Sequence, residues 1–316
     1  MPKIAILDDY TNQAREMGNW NILPEDFKLE VFTDNLVQHD ALIDRLRNFE
    51  IICAMRERTP FPAPVFERLE NLKLFITTGM RNASVDVAAA KARGVTVCGT
   101  TGSPWATAEL TWGLLQACAR NLIHDDRMMR EGRWITRIGV ELRGKTLGII
   151  GLGNLGGRVA EYAKSFGMNT IAWSQNLTEQ RCRECNAELV DKESLFRESD
   201  FVTIHLVLSS RSCGLVSATD FGLMKPTAYL INTSRGPIVN EIALIDAVDS
   251  GRIAGAAVDV YDHEPLPPKH RLRSLANLIM TPHTGYVTKE TYRIFHQQMI
   301  ENILSWHAGN PMREIS

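Results

Sequence analysis

The chain of 316 residues carries 35 lysines and arginines against 37 aspartates and glutamates, a formal net charge of −2, and 44% of its residues are hydrophobic. This balance gives no reason to expect nucleic acid or an anionic membrane as a partner, and no apolar run approaches the ~18 residues of a membrane span. The length favours two domains. The first ten residues are typical of a strand rather than a secretory signal, so we predict a cytoplasmic protein.

The first hundred residues alternate short apolar runs with helical or turn-rich segments, a pattern typical of an α/β domain with a parallel sheet. The predicted strands are Lys3–Asp8, Leu29–Phe32, Ile51–Ala54, Leu74–Thr77 and Val95–Val97. Gly102, Ser103 and Pro104 end this region, and apolar residues at helical spacing then predict a helix over Trp105–Arg120.

From Gly144 the strand pattern restarts and predicts a second doubly wound sheet. Its strands are Leu147–Ile150, Thr170–Trp173, Glu188–Val190, Phe201–Val207, Ala228–Asn232, Ala256–Val260 and Leu278–Met280. Thr288–His307 has a helical pattern and is expected to return to the first domain. We therefore predict a discontinuous domain of residues 1–103 and 287–316, and a second domain of residues 104–286.

A glycine motif lies at the first strand-to-helix turn of the second domain. Gly151, Gly153 and Gly156 form a Gly-x-Gly-x-x-Gly sequence inside a βαβ unit of about 30 residues. The first glycine allows a tight turn, the second lets the backbone approach a pyrophosphate, and the third lets the helix pack closely on the strand. This context favours a dinucleotide-binding site over a merely glycine-rich turn.

Polar residues follow three later strands of the second domain. They occur in the stretches INTSRG (231–236), VDVYDHEPLP (258–267) and TPHTGY (281–286). Ligands of open α/β sheets bind at the carboxyl ends of the strands, so these stretches are the candidate site.

These motifs extend nearly from end to end of the chain when they are taken together with ASVDVAAAKARGV and GKTLGIIGLGNLG. In this order of motifs the chain resembles the D-isomer-specific 2-hydroxyacid dehydrogenases. That family includes D-3-phosphoglycerate dehydrogenases and glyoxylate or hydroxypyruvate reductases. The resemblance implies an α/β fold of two Rossmann-like, doubly wound parallel-sheet domains with a cleft between them. It also implies NAD(P)-dependent hydride transfer between a 2-oxo acid and a D-2-hydroxy acid, in a homodimer.

The resemblance places the catalytic set on Arg235, Glu264 and His283. The chemistry suits each residue, because an imidazole exchanges protons near neutral pH and a carboxylate partner orients its ring and favours the imidazolium. An arginine is always cationic, so it can bind the substrate carboxylate and polarise the carbonyl.

The remaining site residues are also implied by the resemblance. Cofactor binding falls on Gly151, Gly153, Asn154, Leu155, Gly156, Ser174, Thr233, Ser234, Arg235, Asp259, His283 and Gly285. Among these, Asp259 is expected to contact the nicotinamide carboxamide. Substrate binding falls on Arg56, Gly79, Met80, Arg81 and Arg235. His205 is expected to line the cofactor crevice without a catalytic role.

The chain departs from the family pattern at two places. The second strand of the dinucleotide domain ends in Ser174 and Gln175, where NAD-dependent members have an acidic residue and NADP-preferring members an arginine just beyond. Arg181 and Arg183 could turn toward a 2′-phosphate, but they are expected on a solvated helix. NAD is favoured, with NADP as the alternative. In the first domain Arg81 replaces a loop glycine. It either faces the cleft and suits a bulkier or doubly anionic substrate, or points to solvent or into an ion pair.

The sequence does not favour two other function classes, a dinucleotide-sensing scaffold and a methyltransferase. A dinucleotide-sensing scaffold like the C-terminal-binding corepressors predicts a peptide groove without turnover, and the chain lacks the long disordered tails expected there. A methyltransferase leaves Arg235, Glu264 and His283 unexplained. No metal site is predicted, because Cys182 and Cys185 have no second ligand pair and reduced thiols are favoured.

Overall fold

The computed structural model describes residues 1–315 and forms two compact units. The first unit contains Met1–Ser103 and the chain from Val287 onward, and the second contains Pro104–Tyr286. Each unit is built on its own parallel sheet.

Twelve strands lie within residues 1–315. They are β1 (Lys3–Ile6), β2 (Lys28–Val31), β3 (Ile51–Ala54), β4 (Leu74–Thr77), β5 (Thr96–Cys98), β6 (Thr146–Ile150), β7 (Asn169–Trp173), β8 (Glu188–Leu189), β9 (Phe201–Ile204), β10 (Tyr229–Asn232), β11 (Gly255–Val258) and β12 (Leu278–Met280). All twelve predicted strands are confirmed, and burial on both faces of a parallel sheet explains the apolar runs of central strands such as β3, β4, β9 and β11.

The helices between the strands complete the α/β pattern. They are α1 (Ala14–Met17), α2 (His39–Leu46), α3 (Ala63–Arg68), α4 (Val87–Ala92), α5 (Ala106–Ala119), α6 (Leu122–Arg130), α7 (Asn154–Ser165), α8 (Glu179–Glu184), α9 (Lys192–Glu198), α10 (Ala218–Leu223), α11 (Glu241–Asp249) and α12 (Lys289–His307). Short 3₁₀ helices occur at Trp20–Ile22, Gly236–Ile238 and Arg271–Ser274. None of the helices within residues 1–315 is long and apolar enough to cross a membrane.

The first unit has the strand order β2-β1-β3-β4-β5, with every neighbouring pair parallel. The C-terminal helix α12 packs in this unit and buries Met299, Ile300 and Ile303 in the same apolar cluster as Ile4 and Ile6 of β1. The strand order of this sheet reverses between β1 and β3. The carboxyl ends of its strands are therefore a candidate ligand-binding edge.

The second unit has the strand order β12-β11-β10-β9-β6-β7-β8, which is the doubly wound order of dinucleotide-binding domains. Separate apolar clusters cover its two faces. The strand order reverses between β6 and β9. The glycine motif follows β6 and His205 follows β9, so both lie at the reversal point where such sheets bind ligands.

The predicted strand Phe201–Val207 is too long. Ile204 is in register with Ile150 and Asn232, the last residues of the neighbouring strands β6 and β10. No strand partner extends beyond that line, and Val207 is 74% exposed. Similarly, the predicted strand Ala256–Val260 ends at Val258, so Asp259 lies in the loop at the site edge.

Candidate active site

The glycine loop has the packing that its sequence predicts. Gly151 has a φ of +95°, and Gly156 approaches so closely that a Cβ there would lie 2.1 Å from the Gly151 carbonyl oxygen. A Cβ on Gly153 would meet nothing within 4 Å, so this residue faces open space. No side chain caps α7, and the amides of Asn154, Leu155 and Gly156 open its first turn. The loop therefore fits a pyrophosphate.

At the end of β7, Ser174 lines a surface cavity of about 600 Å³. Three acidic residues, Glu188, Asp191 and Glu198, line the same cavity.

The structure differs from the expectation at Arg181. It was expected on a solvated helix face, but its Nε donates to the Leu152 carbonyl at 2.9 Å and its Nη2 to the Gly153 carbonyl at 3.2 Å.

That expectation was correct only for Arg183, whose exposed guanidinium pairs with Glu179 at 3.2 Å. Arg181 also pairs with Glu184 at 3.2 Å. It therefore connects α8 to the glycine loop, a contact that helical spacing alone does not reveal.

The loop after β10 holds Thr233, Ser234 and Arg235. The buried Asn232 fixes it, because its Nδ2 donates to the Arg235 carbonyl at 3.0 Å and its Oδ1 accepts from the Ser234 amide at 3.0 Å. Thr233 Oγ1 lies 2.7 Å from Thr111 Oγ1, and Ser234 Oγ donates to the Leu206 carbonyl. The half-buried Arg235 donates from Nη1 to the Ser234 carbonyl at 2.7 Å.

The loop after β11 brings Glu264 against His283. Glu264 Oε2 lies 2.5 Å from His283 Nδ1, and its Oε1 accepts from the Tyr261 amide at 2.9 Å. A Cβ on Gly236 would lie 2.1 Å from the Tyr261 carbonyl carbon, so the Arg235 loop touches the loop that carries Glu264. His283 has a φ of +53°, an uncommon conformation for a residue other than glycine.

Asp259 is fully buried and bonds to the loop that carries His283. Its Oδ1 accepts from Thr281 Oγ1 at 2.5 Å and from the Thr284 amide at 2.8 Å, and its Oδ2 accepts from the Gly285 amide at 2.8 Å. Burial raises the pKa of Asp259, and these hydrogen bonds oppose that rise. The predicted contact with a nicotinamide carboxamide stays a prediction, whereas the structure gives this carboxylate the role of a loop anchor.

Tyr261 and Thr281, to which the sequence assigns no role, support the same loop. Tyr261 donates its hydroxyl to the Thr281 carbonyl at 2.8 Å. The predicted Gly285 packs against Asp259, because a Cβ on it would lie 3.1 Å from Asp259 Oδ2. Tyr261 lies in the stretch 258–267 and Thr281 begins the stretch 281–286, and this position is the only signal that the sequence offers for them.

His205 lies at the carboxyl end of β9, half-buried. Its Nε2 is 3.2 Å from Thr203 Oγ1, and burial lowers the pKa of its imidazole to about 4. A neutral ring beside the glycine loop agrees with the structural role expected of it.

The predicted substrate residues lie in the first unit, at the ends of β3 and β4. The Arg56 amide donates to Thr78 Oγ1 at 2.7 Å, and its Nη1 donates to the Thr78 carbonyl at 3.1 Å. A Cβ on Gly79 would lie 1.9 Å from Arg56 Nη1, so this guanidinium covers the glycine. Met80 and Arg81 follow it as exposed residues.

The remaining predicted chemistry concerns the thiols and metals. All six cysteines are free, and burial raises the pKa of Cys98 to about 11 and of Cys118 to about 12. Cys182 is buried and Cys185 half-buried, and the pKa of each is raised by burial. Across residues 1–315, no three histidine, cysteine or carboxylate side chains are grouped so that they could hold a metal ion.

Comparison with known proteins gives consistent matches. Residues 112–285 match the family model described as "D-isomer specific 2-hydroxyacid dehydrogenase, NAD binding domain". The glyoxylate reductase of Korarchaeum cryptofilum is 33% identical over 307 residues, covering 95% of this chain and 92% of that protein. The D-3-phosphoglycerate dehydrogenase of Archaeoglobus fulgidus is 34% identical over 288 residues, which cover 90% of this chain but only 54% of that longer protein.

A solved structure agrees over nearly the whole length. The phosphoglycerate oxidoreductase of Vibrio cholerae O395 superposes with a TM-score of 0.93 and 37% identity, covering 98% of this chain and all of that one. These relatives are dehydrogenases and reductases, so the alternative of a corepressor-like scaffold is not favoured.

Proposed function

The chain belongs to the D-isomer specific 2-hydroxyacid dehydrogenase family, and we propose that it interconverts a 2-oxo acid and a D-2-hydroxy acid with His283 as the acid and base. It is an NAD(P)-dependent oxidoreductase. The observation that carries the assignment of roles is the 2.5 Å contact between Glu264 and His283 Nδ1, one loop away from Arg235.

The proton chemistry follows from this contact. Because Nδ1 of His283 is held by Glu264, Nε2 is the nitrogen that exchanges the proton with the substrate oxygen. The Glu264 carboxylate stabilises the imidazolium that exists before proton donation. In the direction of reduction, His283 Nε2 donates its proton to the carbonyl oxygen, and in oxidation it takes the proton back.

Arg235 binds the substrate carboxylate and polarises the carbonyl, because its guanidinium offers several charged donors in one plane. The bound nicotinamide supplies the hydride in reduction and accepts it in oxidation. The residues of this chain that would hold the dinucleotide are those of the glycine loop, together with Ser174, Thr233, Ser234 and Gly285.

NAD is the proposed cofactor, in preference to NADP. Supporting this choice, the cavity at Ser174 is lined by Glu188, Asp191 and Glu198, whose negative charges oppose a 2′-phosphate. The neighbouring cation Arg181 is already bound to the glycine-loop carbonyls.

The test is a spectrophotometric panel at 340 nm that pairs NADH and NADPH with glyoxylate, pyruvate, hydroxypyruvate, phenylpyruvate and 3-phosphohydroxypyruvate. We expect NADH-dependent reduction of at least one acid, and a loss of more than about 100-fold in kcat for His283→Ala with cofactor affinity retained. An unchanged kcat in His283→Ala would contradict its role, and preference for NADPH would contradict the cofactor assignment.

We also propose that the chain forms a homodimer through residues 122–140. Supporting this, Trp134 is 74% and Ile138 is 94% exposed in a segment without helix or strand. A neighbouring groove of about 440 Å³ is lined by Ile123, Tyr229 and Leu278. A two-fold partner can insert its own segment into this groove and receive the other in return.

Sedimentation velocity tests the dimer. The wild type is expected at twice its 35.4 kDa chain mass, and Ile138→Asp is expected to shift it to one chain. Ile242→Asp, at an isoleucine of α11 that is 70% exposed, is the control and is expected to stay dimeric. A monomeric wild type would overturn this proposal.

Finally, we propose a cytoplasmic location. It is supported by six free cysteines, four of them buried, since reducing compartments keep thiols unpaired. Cell fractionation tests it, and recovery of the protein from an exported fraction would contradict it.

A further inference from the structure

The loop after β4 exposes a cation without an intramolecular partner. Among residues 1–315, the Arg81 side chain makes no hydrogen bond, ion pair or aromatic contact, and it is exposed. In the same unit, the half-buried Arg45 pairs with Asp34 at 2.7 Å and the exposed Arg68 pairs with Asp40 at 2.6 Å. Arg81 therefore has no acid of its own to neutralise it.

The backbone that carries Arg81 is fixed on both sides. Gly79 donates its amide to Thr100 Oγ1 at 3.1 Å, and Asn82 Nδ2 donates to the Arg56 carbonyl at 2.6 Å and to Thr77 Oγ1 at 2.8 Å. Asn82 Oδ1 also accepts from the Ser84 amide at 2.9 Å. A fixed backbone beneath an unpartnered cation reduces the conformational freedom that is lost when an anion binds.

Arg56, the other arginine beside Gly79, already has partners for its guanidinium. The Arg56 guanidinium donates to the Thr78 carbonyl and its Nε lies 3.5 Å from Glu57 Oε2. Of the two arginines beside Gly79, Arg81 is the one with its charge fully available. It stands two residues beyond Gly79, within about 7 Å along the backbone.

We propose that Arg81 binds a second anionic group, a carboxylate or a phosphate, on the side chain of the 2-oxo acid substrate. This inference rests on the proposed function and names its substrate class, a short 2-oxo acid with two negative groups. The second anionic group takes the guanidinium of Arg81 as its charge partner, beside the Gly79–Met80 loop.

Matched substrate pairs test the proposal by steady-state kinetics. Oxaloacetate against 2-oxobutyrate isolates the carboxylate, and 3-phosphohydroxypyruvate against hydroxypyruvate isolates the phosphate. For Arg81→Ala we expect KM to rise at least about tenfold for the doubly anionic member of one pair and to change less than about twofold for its partner. Arg81→Glu is expected to raise that KM further, and Arg81→Lys to restore part of the affinity. The responding pair identifies the anion.

Arg93→Ala is the control, since this arginine of the same unit is also exposed and outside the loop. Equal effects of Arg81→Ala on both members of each pair, or no effect, would overturn the inference while the proposed function stands. Wild-type enzyme that reduces none of these acids with either cofactor would overturn both.

Discussion

Asp259 positions His283, the proposed acid and base, through the residues on both sides of it. Its two carboxylate oxygens bind Thr281, Thr284 and Gly285, the residues on both sides of His283. The uncommon backbone conformation of His283 is therefore maintained by hydrogen bonds that a buried carboxylate accepts, while burial raises the pKa of that carboxylate. The geometry proposed for catalysis depends on a residue that has no exposed surface.

Asp259→Asn is expected to lower kcat at least about tenfold and the free energy of unfolding by about 2 kcal/mol, because an amide offers a donor where backbone amides need acceptors. The cofactor Kd, measured by fluorescence titration, should change less than about threefold. A large rise in Kd with kcat retained would instead support the predicted nicotinamide contact. Thr281→Val removes one bond only and serves where Asp259→Asn fails to fold.

Arg181 is the corresponding positioning residue of the cofactor loop. Removing its hydrogen bonds to Leu152 and Gly153 frees the turn that the pyrophosphate needs, so Arg181→Ala should raise the Kd of NADH about fivefold with kcat unchanged. Arg183→Ala on the same helix should leave the Kd within about 1.5-fold. Equal effects of the two variants would show that net charge, and not the loop contact, controls affinity.

At the scale of elements, α7 begins without a side-chain cap, as α5 and α6 also do, whereas several other helices have one. Side chains cap α4, α8, α9, α11 and α12 through Asp86, Thr178, Asp191, Asn240 and Thr288. Helix α7 has no side-chain cap and follows a glycine that faces open space. An anion at this turn would supply the missing acceptor.

Two glycine variants separate packing from ligand binding in α7. Gly153→Ala should keep the melting temperature within about 2 °C and weaken NADH binding at least about tenfold, because its Cβ enters only the space the cofactor needs. Gly156→Ala should lower stability by about 2 kcal/mol or more, since its Cβ meets the Gly151 carbonyl oxygen. Unchanged NADH binding by a folded Gly153→Ala would contradict the assigned loop.

Strand existence was predictable for the central strands, because they are buried on both faces and therefore appear as apolar runs, whereas the edge strands β2 and β8 are more exposed. Strand ends were less predictable. Val207 continues the apolar run of β9 but has no neighbouring strand to pair with, and local sequence contains no information about where β6 and β10 end.

The site was predictable as far as its residues belong to motifs. Glu264 and His283 were assigned through the resemblance and do meet in the structure. The anchoring role of Asp259 was missed, because its partners are 22 to 26 residues away in the chain. The contact of Arg181 with the glycine loop was missed because spacing within α8 does not indicate which face packs on α7.

At the scale of the whole molecule, each unit contains a histidine whose pKa burial lowers to about 4. His205 belongs to the second unit and is half-buried, and His296 of α12 belongs to the first and is 1% exposed. Both ring nitrogens of His296 lack a hydrogen-bond partner within residues 1–315, and its ring lies 5.8 Å from that of Trp20 and 6.0 Å from that of Tyr292. Stability of the first unit should therefore depend on pH through His296.

The sign follows from the pKa. Burial lowers the pKa of His296 to about 4, although the charge of Asp9 opposes the shift, whereas the unfolded chain titrates near 6.5. Between these values the unfolded state binds more protons, so stability is complete above pH 6.5 and falls as the pH decreases towards 4. For this histidine the loss is about 1.4 kcal/mol per pH unit, or about 2 kcal/mol at pH 5.

His296→Phe should remove this dependence, because it keeps an aromatic ring between Trp20 and Tyr292 and has no proton to bind. Hydrogen exchange of the α12 amides at pH 5.0, 6.0 and 7.5, corrected for intrinsic rates, measures the local free energy of opening. We expect the wild type to lose stability across this range and the variant to lose about 2 kcal/mol less. His39→Gln, at an exposed histidine of α2, should behave like the wild type. A wild-type slope retained in His296→Phe would assign the acid sensitivity of this unit to other groups, with the buried carboxyl of Asp8 the first to examine.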